Sequence, residues 1–335
     1  MTQRKILYLP PTGLSKEILS PKAIQTLESL GTVVWNEMER NYTSDELLEL
    51  IPGAEVIITS WGSPNITDEH LQYAPDLKIV GHAAGTVKTR LAPAGHERGI
   101  VLCSAANVIA ESVAEYTLWA MLSGQRNLYK YNRIMKEEKG WKSKQDQDYG
   151  HCLYSKKVGI VSASMVGRRV IALLKPFHCD VMVYDPYLPE EGANALGVRT
   201  VSLEELFSTG DIISVHAPTT SETEKMITRA HFQSIRDGAL FVHTARSWVL
   251  DQDALVEELQ KNRFTAYIDV FEKEPLAADH PIRDVDNAFL SPHVSGHTNE
   301  TRMRLVEEIV YDVERFFNNE PMRLAVSYER LKIMA

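Results

Sequence analysis

Cysteine is scarce in this chain. Its 335 residues include only Cys103, Cys152 and Cys179, far apart and without C-x-x-C spacing, so neither a disulfide framework nor a zinc site is expected. Long apolar runs are missing too: none approaches the roughly 20 residues of a membrane span. The opening Met-Thr-Gln-Arg-Lys-Ile-Leu-Tyr-Leu-Pro-Pro holds too short an apolar run for a signal peptide, and a cytoplasmic location is the expectation. There is no basic excess. With 36 Lys and Arg against 45 Asp and Glu, the net charge of −9 argues against nucleic acid as a direct ligand, because backbone attraction needs clustered positive charge. No repeat and no low-complexity tract is found. What remains, 44% hydrophobic and 24% charged residues, describes an ordinary globular protein long enough for two domains.

A more telling scarcity is that of glycine in one turn. The segment Val158-Gly159-Ile160-Val161-Ser162-Ala163-Ser164-Met165-Val166-Gly167-Arg168-Arg169 leads into an apolar helical pattern and then Val181-Met182-Val183-Tyr184-Asp185. A strand, a turn, a helix, a strand and an acidic end frame a dinucleotide site, with pyrophosphate on the helix N-terminus and the carboxylate on ribose hydroxyls. Of the three glycines of G-x-G-x-x-G only Gly167 remains; Ser162 and Ser164 hold the other two positions. Each serine adds a Cβ where backbone and phosphate approach closely, and a hydroxyl able to bond phosphate. The following Arg168-Arg169 offers positive charge, and Asp185 would repel the 2′-phosphate of NADP. NAD is the expected cofactor.

Around this turn, short apolar runs alternate with helical patterns. Lys5–Leu9, Val56–Thr59, Leu77–Gly81 and Val101–Ser104 read as buried strands, with helices over Pro21–Leu30, Ser44–Ile51 and Asp68–Tyr73. A second α/β unit follows from Val158, with strands at Val181–Tyr184, Ile212–His216, Ala239–Thr244, Thr265–Asp269 and Ala288–Leu290. Helices are expected over Leu203–Phe207 and Asp251–Lys261, the latter capped by Asp251, and over Asn299–Asn318. Between the units, Ile109–Leu128 is apolar around most of its circumference and is expected to be buried at a domain or subunit interface. Lys136–Tyr149 reads as surface. The fold class is α/β, two domains with parallel sheets.

Four motifs in order carry a family resemblance: His216-Ala217-Pro218; Thr244-Ala245-Arg246; Asp269-Val270-Phe271-Glu272-Lys273-Glu274-Pro275-Leu276; and Ser291-Pro292-His293-Val294-Ser295-Gly296. With Ser112-Val113-Ala114-Glu115 opening the long helix, they resemble the D-isomer-specific 2-hydroxyacid dehydrogenases, NAD-dependent enzymes that interconvert 2-keto acids and D-2-hydroxy acids. The resemblance implies a Rossmann cofactor domain, residues 107–298, inserted into a flavodoxin-like substrate domain made of 1–106 and 299–335. It also implies crossings near Asn107 and Val294–Thr298, an active cleft between the domains, and a homodimer paired through the cofactor domain. Arg246, Glu274 and His293 become the catalytic set. A guanidinium grips the carboxylate and polarises the carbonyl, an imidazole delivers the proton, and a carboxylate beside it orients the ring and favours its charged form. Ser162, Ser164, Met165, Val166, Gly167, Arg168, Asp185, His216, Ala217, Pro218, Thr244, Ala245 and Asp269 fall at cofactor positions. Ala84, Gly85 and Thr86, after His82, match the loop that receives the substrate carboxylate, alongside Arg246 and His293.

Other readings stand beside these. His293 and His297 lie four apart, but Pro292 and Gly296 break any helix and no third ligand is evident, so no metal is expected. Ser162 lacks the flanking glycines of a hydrolase nucleophile. His243 stands where the family commonly has Asn. Ser247-Trp248 replaces small residues after the arginine; Trp248 either narrows the pocket or fills the core. The edited loop leaves open a second class of function, a catalytically weak or inactive relative acting as an NAD(H)-sensing or partner-binding protein, as the C-terminal binding protein corepressors do within this superfamily.

Overall fold

The computed structural model describes residues 4–141 and 149–331. Part of the expected surface stretch Lys136–Tyr149, residues 142–148, lies outside them. The chain divides into two compact units, residues 1–109 with 297–335, and residues 110–296. Among the described residues, no helix is long and apolar enough to cross a membrane.

In the first unit, β1 (Arg4–Tyr8), β2 (Gly31–Trp35), β3 (Ala54–Thr59), β4 (Ile79–His82), β5 (Val101–Ser104) and the late strand β13 (Ala325–Val326) form one sheet in the order β13-β5-β4-β3-β1-β2. Every pairing is parallel except that of β13 with β5. Alternate residues face opposite ways along a strand, so Ile6, Val56, Ile58 and Ile79 pack on one face while Leu7, Ile57, Val80 and Leu102 pack on the other. The helix Asn299–Phe317 covers the first of these faces with Leu305, Val306, Ile309, Val310 and Val313, all buried. It approaches so closely that a Cβ at Gly81 would meet Ile309 Cγ2 at 2.4 Å. Asp312, on the same helix and fully buried, accepts hydrogen bonds from the N–H groups of Arg323 (2.9 Å) and Leu324 (2.6 Å) and from Arg315 (2.7 Å). These bonds fix the approach to β13.

The second unit holds β6 (Lys157–Val161), β7 (Asp180–Tyr184), β8 (Arg199–Thr200), β9 (Ile212–Val215), β10 (Leu240–His243), β11 (Thr265–Ile268) and β12 (Ala288–Leu290), all parallel, in the order β12-β11-β10-β9-β6-β7-β8. Strand order runs outward in both directions from the β6–β9 pair, so the carboxyl ends of these two strands mark the switch point at which doubly wound sheets bind ligands. The expected helix after Asp251 is present as Gln252–Gln260, and Asp251 Oδ1 accepts from Ala254 N at 3.0 Å.

Two differences from the sequence reading have physical causes. Gly31–Trp35 is a strand that the burial pattern hid, because it lies at the sheet edge and is only partly buried. The long apolar segment forms the helix Ala106–Gln125, then breaks at Asn127, which adopts φ +52°, and restarts as Leu128–Lys136. In the single chain Ala120 and Met121 of the first helix are fully buried, while Trp119 is 40% and Leu122 37% exposed.

The Asp312 bonds generate a stability prediction. Asp312→Ala leaves the buried N–H of Leu324 and the partly buried N–H of Arg323 without their acceptor and should cost about 3 kcal/mol in urea unfolding. A loss under about 0.5 kcal/mol would show that β13 is held by other contacts.

Candidate active site

The edited turn keeps the backbone of a phosphate cradle. Ser162 adopts φ +77°, the left-handed region that favours glycine, so the chain holds the turn against the preference of its own side chain. Ser164 is different. Its backbone is extended, and it is the N-cap of the helix Met165–Leu174, its Oγ accepting from Gly167 N at 3.3 Å. The sequence reading gave each serine an added Cβ and a hydroxyl able to bond phosphate; the Ser164 hydroxyl is engaged as a helix cap. Gly167 could be nothing else, because a Cβ there would meet Ser162 O at 2.2 Å. Asp185, just beyond β7, accepts from Ala163 N (2.8 Å), Ser162 Oγ (3.3 Å) and Tyr187 N (2.8 Å), so it pins the turn in place. Among the described residues no protein acceptor is found for the N–H groups of Met165 and Val166. Free donors at a helix start, a glycine that admits no side chain and a carboxylate at the next strand end fit a dinucleotide pyrophosphate and ribose.

The three polar residues expected at the reacting centre all follow adjacent strands: Arg246 after β10, Glu274 after β11 and His293 after β12. Glu274 Oε2 lies 2.7 Å from His293 Nδ1, and Glu274 Oε1 accepts from Phe271 N at 2.9 Å. Burial raises the Glu274 pKa, but the bonds from His293 and Phe271 outweigh it, and the carboxyl ends below its ordinary value. An ionised carboxylate only accepts, so Nδ1 carries the hydrogen and Nε2 is left to exchange a proton. The His293 backbone is held in the left-handed region, φ +55°. Its N–H donates to Asp269 O at 2.8 Å. Asp269 is itself fully buried and binds the surrounding turn through Ser291 Oγ (2.5 Å), Val294 N (2.9 Å) and Ser295 N (2.9 Å). Tyr116 Oη lies 2.6 Å from Ser291 Oγ, extending the network to the long helix. Sequence reasoning gave Asp269 to the cofactor and missed Tyr116; the structure shows Asp269 organising the histidine turn. Arg246 keeps solvent-exposed surface, with Nη1 donating to Ala245 O at 2.7 Å. The protein packed around it lowers its pKa, while Glu274 and Asp269 pull upward, and the guanidinium stays charged.

With this geometry established, comparison with known proteins is decisive for family. The profile of the D-isomer specific 2-hydroxyacid dehydrogenase, NAD binding domain, matches residues 118–295. The chain belongs to this family. It is 31% identical to D-3-phosphoglycerate dehydrogenase of Archaeoglobus fulgidus over 94% of this chain and 59% of that protein. It is 30% identical to hydroxypyruvate reductase of Thermotoga maritima over 83% of this chain and 91% of the relative. The chain thus spans between 56% and 59% of the length of several phosphoglycerate dehydrogenases it matches. In fold it resembles a phosphoglycerate oxidoreductase from Rhizobium etli, TM-score 0.81 at 24% identity, covering 97% and 98% of the two chains.

The other residues expected of this dehydrogenase family take up defined places. His216 N donates to Val161 O, its Nε2 lies 2.9 Å from Ser214 Oγ, and Pro218 O accepts from Thr223 Oγ1 at 2.7 Å. Ala217 and Thr244 are buried, the latter 3.3 Å from Thr117 Oγ1. Trp248 does not fill the core: it is 43% exposed, and its indole N–H donates to Thr220 O at 3.0 Å. In the first unit, Ser60 Oγ donates to Ala83 O and Ser104 Oγ to Gly85 O, each at 2.9 Å. Among the described residues, the N–H groups of Ala84, Gly85 and Thr86 find no protein acceptor.

Three histidines here are buried and neutral. Burial pushes His82, His216 and His243 each down to about 3 from 6.5, with His216 adding its charge against His243. All three bind protons better in the unfolded chain, so their contribution is complete above about pH 6.5 and is lost as the pH falls toward 3. At pH 5 each should cost about 2 kcal/mol relative to neutral pH. Urea unfolding at pH 7 and pH 5 should show the parent losing more stability than His243→Asn; equal losses would mean that His243 is not buried neutral.

Proposed function

We propose that this chain is an NAD-dependent oxidoreductase that interconverts a 2-keto acid and the D-2-hydroxy acid. The observation that carries the reading is the Glu274–His293 bond, which leaves Nε2 as the exchanging atom on a sheet edge that also presents Arg246. When bound, NADH supplies the hydride that reduces the keto carbon. Arg246 pairs with the substrate carboxylate and polarises its carbonyl, a task suited to a planar, permanently charged group. His293 gives its Nε2 proton to the developing alkoxide and takes it back in the reverse direction. Glu274 fixes the ring and stabilises the imidazolium. Within the first unit we assign the free N–H groups of Ala84, Gly85 and Thr86 to the substrate carboxylate. Met165, Val166 and Arg168 attend the pyrophosphate, Asp185 the ribose, and His216, Ala217, Pro218, Thr244, Ala245 and Asp269 the nicotinamide end. The three described cysteines are free, in keeping with a cytoplasmic protein.

His293→Ala should lower kcat at least a hundredfold with NADH affinity unchanged by fluorescence. Glu274→Gln and Arg246→Lys should each lower kcat/KM without weakening NADH. A His293→Ala protein that turns over at the parental rate would show that another group delivers the proton, whereas a parent that binds NADH but oxidises it with no 2-keto acid would leave the cofactor-sensing alternative.

The loop yields a separate expectation. Ser162→Gly relieves a left-handed serine and should tighten NADH severalfold, whereas Ser164→Gly removes a cap and should not. Looser binding by Ser162→Gly would mark the Ser162 hydroxyl as a ligand.

We also propose a homodimer. Trp119, Leu122, Leu128, Tyr129 and Met135 are exposed on two consecutive helices, and an identical copy is the partner that a self-complementary apolar face fits. Leu122→Glu with Met135→Glu should convert the species seen by sedimentation from dimer to monomer; a parental monomer at micromolar concentration removes the proposal.

A further inference from the structure

The Arg246 guanidinium has no anchor of its own. Among the described residues it donates to its neighbour Ala245 O and forms no salt bridge, although Glu274 and Asp269 lie near enough to act on its charge. Its place is therefore set by its backbone. Beyond it runs one 3-10 turn, Ser247–Val249, closed by Val249 N on Arg246 O at 3.3 Å and by Leu250 N on Ser247 O at 3.1 Å. A single turn of that kind supports itself weakly.

The loop after β9 supplies further support. Lys225 N donates to Trp248 O (2.9 Å), Ile227 N to Val249 O (3.0 Å) and Asp251 N to Ile227 O (2.9 Å), so backbone bonds stitch the far half of this loop to the arginine turn. Lys225 takes φ +44°, in the left-handed region, to do so. The near half is reached by a side chain. The Trp248 indole spans the gap, its N–H donating to Thr220 O at 3.0 Å. Thr220 N donates in turn to Thr223 Oγ1 (2.9 Å), and Thr223 Oγ1 to Pro218 O (2.7 Å). Three bonds thus lead from the residue two places after Arg246 to Pro218, assigned above to the nicotinamide end. Farther out, Tyr187 Oη donates to Glu222 and ties the same loop to the chain beyond β7. Small residues are the rule after the family's arginine, and none of them could reach Thr220. An indole is rigid and carries one donor and no acceptor, so its bond has a single sense.

We propose that Trp248 is a positioning residue: its indole N–H latches the loop after β9 to the arginine turn, so that cofactor bound against Pro218 presets Arg246 for the carboxylate of the keto acid. This rests on the dehydrogenase reading above. It gives a task to the one bulky residue that departs from the pattern around the arginine.

The test uses the full chain with NADH, the 2-keto acids glyoxylate, pyruvate and phenylpyruvate, and oxamate, a keto-acid analogue that is not reduced. Oxamate affinity is measured with and without NADH, and the ratio reports how far the cofactor prepares the carboxylate site. Trp248→Phe keeps a ring and loses the N–H. The ratio should fall about fivefold, the worth of one hydrogen bond, and kcat/KM for the best of the three acids should fall by about the same factor. NADH affinity in the absence of acid should stay within about twofold. Thr223→Val cuts the same path at its other end and should give the same two losses. The double variant should lose little more than either alone, because one broken link already opens the path. A parental ratio near one, a ratio unchanged in Trp248→Phe, or losses that multiply in the double variant overturns the inference while leaving the dehydrogenase reading intact. So does a Trp248→Phe defect carried by NADH affinity, which would mark a cofactor-binding role. A parent that binds NADH but oxidises it with none of the three acids overturns that reading and this inference with it.

Discussion

A buried carboxylate governs the reacting centre. Asp269 is fully enclosed, and a buried carboxyl group is tolerated only where its oxygens find hydrogen-bond partners. It takes one hydroxyl and two N–H groups from residues 291–295, and those bonds draw the chain into a turn that no ordinary preference would produce. The left-handed backbone of His293 follows from that turn, and with it the direction of the imidazole toward Glu274. The orientation of the imidazole thus depends on a residue bonded to its turn and not to its ring.

A parallel arrangement governs the nucleotide turn. Asp185 accepts from three groups around Ser162–Tyr187, and Gly167 gives way to the carbonyl of Ser162. In both places a carboxylate at the carboxyl end of a strand compels a neighbouring non-glycine residue into the left-handed region. Local strain of this kind, of order 1–3 kcal/mol, gathers where function requires an unusual backbone.

Much of this was legible beforehand. Period-two and helical patterns marked the strands and helices that face a core on both sides, and four short motifs named Arg246, Glu274 and His293 before any geometry was known. The edge strand Gly31–Trp35 escaped because its side chains are only partly buried, and periodicity reports burial. The capping role of Ser164 was not foreseen because a cap depends on the φ and ψ of one residue, which composition does not encode. The organising part played by Asp269 and Tyr116 was invisible for a related reason: their partners lie 22 to 26 and 175 residues away, and nothing local announces them.

The order of the chain carries its own consequence. The first unit begins with five strands, but the helix Asn299–Phe317 that covers one face of their sheet, and β13 at its edge, are encoded after the whole of the second unit. As the chain emerges from the ribosome, Ile6, Val56, Ile58 and Ile79 remain uncovered on that face while about 190 residues of Rossmann domain are made and fold. The later domain therefore completes first, and the earlier one waits with an open apolar surface. The risk of association through that face therefore lasts until the helix Asn299–Phe317 has been made, rather than ending with the fifth strand.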